Sequence, residues 1–498
     1  NASAEVLNSS AASQQNVRNE ANDTYNGSGQ GIDVYYQETD ADGGGGIDTH
    51  SDAVTMTLAN GADLTGLSPT GGAFLAIYSR DVRDLGDSDN TGDYDSFTFS
   101  GSTNSLLVLE GNNTIGGDVG YHLSFSGQNG AQVVAYSYGS VDADAIDEIQ
   151  IDGDVDFNGK VNASRINVQS GAADVRFDDL VDFNGADDAL GTVVDFNGHN
   201  ASVILSDDVI LNGSIINKGG LSDANSPLGD RTNGSLVFLG DGEVTGAIGD
   251  TESGLALIQF DGSSDTVSIG GSVTANQLNY GAASNVTING NLLMTPDASP
   301  AQVLGVTFVD KDGSLNVVGG SLTGIADQVV VSNSVTNRGT LTFTGDSNGN
   351  TGSSEQTVTG DIGESDNAIK RLNIGGASSN NHANVTVGGD VFATSVVLLN
   401  DNNSSAFDSH LTMSADRQLT GTVTTDVNGM GDLTLSGGTQ TVTGTVGSNS
   451  KSLDTVTSGA NDANSTFTGT IYATNVDNSG TGTSNYEDDV TATNVGVL

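Results

Sequence analysis

Cysteine is absent from this chain, which removes disulfides, thiolate metal sites and thiol catalysis together. Tryptophan is absent as well, and all aromatic residues make up 5% of the sequence. A wide α/β enzyme core packs large aromatics, so this composition suits a narrow interior filled by short rows of Val, Ile, Leu and Ala. Proline occurs only 4 times against 69 glycines, which excludes collagen. Basic residues are also scarce, 14 Lys and Arg against 63 Asp and Glu, for a formal net charge of −49. A nucleic-acid partner needs Lys and Arg to displace counterions, and an anionic membrane surface needs them for attraction; neither is expected here. No apolar run is long enough to cross a bilayer as a helix, the strongest being stretches such as residues 73–78.

The remaining residues are enough for a core. Charged residues are 15% and hydrophobic ones 35% of the 498, and Val, Ile, Leu and Thr recur throughout, unlike a disordered chain. No segment shows a sustained helical period; residues 2–22 are the best, weak helix candidate. After about Gly31 the pattern is short alternating strands bounded by Gly, Asn and Asp, with Asn-Gly and Asp-Gly steps marking tight turns. The chain starts at Asn1 without a charged segment followed by an apolar one, so it reads as a processed mature chain.

Self-similarity is the strongest signal. Val-Asp-Phe-Asn-Gly occurs at 155–159, 181–185 and 194–198, with a looser copy, Val-Ile-Leu-Asn-Gly, at 209–213. A strand and turn recurring every ~13 residues suits a coil built from two or three strands. A larger unit follows. Val-Thr-Gly-Ala-Ile-Gly at 244–249 matches 358–363 and 442–447, and each is followed by an apolar strand and then by a third matching element, at 266–275, 384–393 and 465–473. One such unit cannot bury its apolar face alone; stacked on its neighbours, it can.

The order Leu-Thr-Phe-Thr-Gly (341–345), Thr-Val-Thr-Gly-Asp-Ile-Gly (357–363), Leu-Asn-Ile-Gly-Gly (372–376) and Asn-Val-Thr-Val-Gly-Gly-Asp-Val (384–391) resembles the passenger repeats of rickettsial-type outer-membrane surface antigens. Those are autotransporter passengers, and some form surface layers. The resemblance covers residues 236–473 well and the first half only in style. It implies a surface location and a role in assembly or adhesion, and it carries over no catalytic residue. Autotransporters end in a membrane β-barrel of ~10-residue alternating strands with aromatic girdles. Residues 448–498 depart from that pattern, being rich in Asn, Thr and Asp, so no membrane insertion by this chain is expected.

Three acidic clusters are candidate cation sites. Asp40, Asp42 and Asp48 flank a run of four glycines; Asp87, Asp89, Asp93 and Asp95 form the second; Asp152, Asp154 and Asp156 form the third. Ca²⁺ takes six to eight oxygens, often from carboxylates two apart in a Gly-bearing loop. The first two clusters are the predicted Ca²⁺ ligands. Strand alternation would put the third on one face, which is repulsive without a cation. Solvated turns are the plainer reading of all three. A polysaccharide-degrading site is the other alternative, with Asp178, Asp179 and His199 in the order pectin hydrolases use, yet the expected basic partner is missing and Trp is lacking. His50, His122, His382 and His410 are dispersed, with no metal-site spacing.

The sequence therefore predicts an all-β, parallel β-helix-like solenoid of short strands with Gly, Asn and Asp turns, and no enzyme. Its expected parts are a polar N-terminal segment (1–30) acting as a cap or subunit-pairing strand, an N-terminal β region (31–150), a solenoid with the short repeats (151–235), and a solenoid with three longer repeats (236–498). The expected role is extracellular and structural: a self-assembling subunit of a bacterial cell-surface layer, sheath or filament, with other copies of itself as partner. An adhesin passenger that binds a cell-surface glycan or a host surface is the alternative.

Overall fold

The computed structural model describes only strand segments before residue 146. From Ile146 to Val497 it describes every residue except 170–172, 184–192, 218–232, 251–252, 295–303, 346–354, 377–380, 401–407, 460–463 and 479. The fold is an all-β solenoid, as the sequence predicts. Named strands pair in parallel throughout, apart from the antiparallel pair Arg83–Asp84 and Phe97–Thr98. Among the described residues no helix is long and apolar enough to cross a membrane. Where a weak helix was expected, at 2–22, the strands Val6–Leu7 and Gln15–Arg18 lie instead, paired with Asp23–Tyr25 and Gly31–Tyr35.

The chain forms two compact units: residues 1–224 with 233–237 and 242–246, and residues 225–232 with 238–241 and 247–498. In the first, each coil has three sides. One side stacks Val155–Phe157, Asp174–Phe177 and Ser202–Leu205. A second stacks the start of Val161–Val168, then Val181–Asp182, Val209–Asn212 and Gly242–Val244. The third stacks Ile146–Asp152, the rest of Val161–Val168, Val193–Asp195 and Ser214–Ile216. The three Val-Asp-Phe-Asn-Gly copies fall on these three different sides. Their ~13-residue spacing therefore marks a step around the coil, and a full turn is longer: Val155 faces Val175, and Val181 faces Leu211.

The second unit repeats the plan with coils of unequal length. Thr266 faces Asn285 on the next coil, whereas Leu322 faces Val358. The extra residues lie in the corners, because the strands must stay in register to keep their apolar side inward. Asp432–Leu435 shows the reason for the pattern: Leu433 and Leu435 are buried, while Asp432 and Thr434 face outward. Rows of like residues result. Val385, Leu411, Leu433, Val456 and Val476 stack inside, each buried. Thr386, Thr412, Thr434 and Thr457 stack outside.

The interior holds more than the small aliphatic residues the composition suggests. Phe157, Phe177, Phe196, Phe238, Phe260, Phe308, Phe343 and Phe467 are fully buried. In the second unit Phe238, Phe260, Tyr280 and Phe308 form a column with centroids 5.6, 5.1 and 4.7 Å apart. The Tyr280 hydroxyl donates to the Ser314 carbonyl at 3.0 Å, and burial pushes its pKa well above the ordinary phenol value.

The glycine pairs at 270–271 and 388–389 sit at corners between strands. At Gly389 and at Gly320 the role is close approach. A Cβ on Gly389 would overlap the carbonyl oxygen of Gly360 one coil before, and one on Gly320 would overlap that of Gly290.

Candidate functional site

Three strands, His410–Met413, Asp432–Leu435 and Leu453–Thr457, stack on one side of the second unit. Their inward residues fix the register, and the register fixes what meets outside. His410 lies over Asp432, and Asp432 over Thr455. The His410 Nδ1 is 2.8 Å from Asp432 Oδ2, and Asp432 Oδ1 accepts the Thr455 N–H at 3.0 Å. Asp454, one residue before Thr455, binds back through its N–H to the Gly431 carbonyl at 3.0 Å.

Asp408 completes the group from two residues before His410. Its place is set by the buried pair Asn400 and Ser409. Ser409 donates its N–H to Asn400 Oδ1 at 2.6 Å and its hydroxyl to the Leu399 carbonyl at 2.6 Å. Asn400 Nδ2 donates to the Leu398 carbonyl and the Thr425 hydroxyl, both at 3.0 Å. Asp408 is held at 4% exposure as a result. One carboxylate oxygen each from Asp408, Asp432 and Asp454 lies within 4.8 Å of the other two. Oδ1 of Asp408 is buried and has no hydrogen-bond partner.

The electrostatics follow from this crowding. Burial first, then the charges of Asp432 and Asp454, push the Asp408 carboxyl up to about 6, against the Gly431 N–H and His410. Asp454 is raised, again by burial first and then by Asp432. His410 is raised because its hydrogen bond to Asp432 favours the imidazolium; burial opposes this, and the charges of Asp432, Asp408 and Asp454 reinforce it. His382 is lowered by burial and by the charge of His410. The two histidines that looked dispersed in sequence are thus electrical neighbours. The row can hold a proton or a hard cation.

The predicted Ca²⁺ ligands Asp40, Asp42, Asp48, Asp87, Asp89, Asp93 and Asp95 lie outside the described residues. Asp152, Asp154 and Asp156 are all exposed, but they are divided between the end of one strand, a corner and the next strand. Asp154 Oδ1 accepts the Asp174 N–H at 3.0 Å. Among the described residues these three are not a group whose oxygens converge as those of Asp408, Asp432 and Asp454 do. Asp178 binds Arg176 at 2.8 Å and the Ser206 hydroxyl at 2.5 Å, and Asp179 accepts the Leu180 N–H at 2.7 Å. Those bonds make them turn and surface residues; His199 is half-buried in its own turn, its N–H on the Phe196 carbonyl at 2.8 Å.

Carboxylates serve another purpose that turn chemistry alone did not suggest. Many accept the backbone N–H of the coil above: Asp361 from Asp390 at 2.7 Å, Asp390 from Gln418 at 2.9 Å, Asp416 from Thr439 at 2.7 Å. The signal for the Asp408 row was present as Leu-Thr-Met at 411–413 and Leu-Thr-Leu at 433–435, which align His410 with Asp432. Looking for ligands inside single loops misses it, since its members are more than 20 residues apart.

No family model, no curated protein and no solved structure matches this chain.

Proposed function

We propose that the protein is an extracellular structural element, a self-assembling subunit of a cell-surface layer, sheath or filament. The observation that carries this reading is the in-register stack. Side chains of each coil lie on those of the next in fixed register, so the described residues are spent on a repetitive scaffold whose outer face carries rows such as Thr386, Thr412, Thr434 and Thr457. Such a stack presents backbone N–H and C=O groups along any edge not covered by another strand, and a further strand can add there in the same register. The resemblance of residues 236–473 to surface-antigen passenger repeats points the same way.

Self-repulsion at a net charge of −49 opposes assembly. Ordered sheets, tubes or filaments are therefore expected in the presence of salt and Ca²⁺, and dispersed particles in chelator at low ionic strength. Negative-stain electron microscopy of the purified protein under both conditions checks this. Isolated particles under every condition would sink self-assembly and leave adhesion, through a glycan or host surface, as the reading to test.

A further inference from the structure

We propose that Asp408, Asp432 and Asp454 form a divalent-cation site, with Ca²⁺ the fitting ion, bound across three successive coils. Two independent observations support it. The first is geometric: one oxygen from each carboxylate lies within 4.8 Å of the other two. Ca²⁺ binds oxygens at ~2.3–2.6 Å, so three oxygens spread evenly around one ion stand ~4.0–4.5 Å apart, and carboxylates already this near one another need to close only slightly to share it. Mg²⁺, at ~2.0–2.1 Å, would draw them closer than the strand spacing favours.

The second observation is the buried oxygen. Asp408 is 4% exposed, and its Oδ1 has no hydrogen-bond partner. A buried carboxylate oxygen left unpaired is costly, and such atoms are rare without a bound ion, water or proton to explain them. The neighbouring hydrogen bonds leave room for an ion in the row. Asp432 Oδ1 is engaged by the Thr455 N–H and Oδ2 by His410, both arrangements that leave the second lone pair of each oxygen available. Asn475 Nδ2 lies 3.3 Å from Asp454 Oδ1, a long contact that leaves that oxygen a second lone pair for an ion.

An ion here would tie together the three coils that carry Asp408, Asp432 and Asp454. It does not depend on self-association, because all three ligands belong to one chain.

The test uses the full chain, stripped with chelator and kept dilute enough to remain dispersed. Ca²⁺ is titrated calorimetrically into the wild type, Asp408→Asn and Asp454→Asn, with Mg²⁺ as the comparison ion, and thermal unfolding is recorded with and without Ca²⁺. The expected result is one Ca²⁺ fewer in the tight class for each variant, or binding weakened at least about tenfold at that site. Most of the Ca²⁺-dependent rise in Tm should also be lost, since a ligand stabilises only the state that binds it. Identical stoichiometry and an identical Ca²⁺-dependent rise in Tm in all three proteins would overturn the site. Should Asp408→Asn fail to fold, the Asp454→Asn comparison decides alone. Loss of the site would leave the assembly reading standing, and dispersed particles in the microscope would leave the site standing.

Discussion

Gln440 illustrates what a buried polar side chain does in a narrow coil. It is 1% exposed, donates to the carbonyls of Met413 at 3.1 Å and Ser414 at 2.8 Å on the previous coil, and accepts the Gly437 N–H at 3.0 Å. Gln356, at the matching repeat position, donates to the Gly320 carbonyl at 2.8 Å. Corners must leave the strand ladder, and these amides satisfy the backbone groups released there. Gln440→Leu keeps the volume and leaves the Gly437 N–H without its acceptor. It is expected to cost about 2–3 kcal/mol in chemical denaturation; a change below measurement error would show that the corner relaxes. Asp361 provides a pH test. Burial, the largest cause, raises its carboxyl above the ordinary aspartate value. The folded state therefore binds more protons than the unfolded state between pH 3.8 and the raised value, so stability falls as pH rises through that window and stays lowered at neutral pH. Asp361→Asn cannot ionise and still offers an oxygen to the Asp390 N–H. It should have a higher Tm than the wild type at neutral pH, with the gap closing on acidification below the ordinary aspartate pKa. Equal Tm values throughout would mean that solvent relieves the buried charge.

At the scale of the element, the strand and the corner obey different rules. Strands such as Asn384–Val387 and Asn464–Phe467 alternate buried and outward residues, a period-2 pattern visible in the sequence. Corners are set by contact between coils. Gly389 is required because a side chain would meet the Gly360 carbonyl, and Gly469 because one would meet the backbone of Gly444. Gly389→Ala is expected to destabilise the protein by about 1–3 kcal/mol, since the obstruction is backbone and cannot rotate away. Thermal unfolding checks this, and an unchanged Tm would show that the two coils can move apart. The same logic explains the repeat spacing at this scale. The Val-Asp-Phe-Asn-Gly copies occupy three sides of the coil, because strand length and corner together set the ~13-residue step.

For the whole chain, the charge and the stack work against each other. Sixty-three acidic residues would disfavour any compact or assembled state. Part of that charge is put to use in the described residues, where Asp390, Asp416 and Asp432 each accept a backbone N–H from the next coil. These charge-assisted bonds help hold the coils in register. The rest faces water, so both stability and self-association should respond to salt more strongly than in a balanced protein. The microscopy and the Ca²⁺ titration proposed above separate the general effect of screening from binding at one place.

Composition and pattern alone determined that the chain is an all-β solenoid. Alternating Val, Leu and Ile with Gly and Asn breaks, repeated in order, permits few ways to bury an apolar face other than stacking. The excess of carboxylates and the lack of cysteine were equally plain. What only the tertiary structure decided is which distant residues meet. His410 and Asp432, Phe260 and Tyr280, and the carboxylates of Asp408, Asp432 and Asp454 become neighbours because parallel register stacks each coil on the next. Coil length varies from turn to turn, as Thr266 opposite Asn285 and Leu322 opposite Val358 show. No fixed period in the sequence predicts such contacts, since corners absorb the difference while hydrogen bonding and the buried apolar rows hold the strands in place.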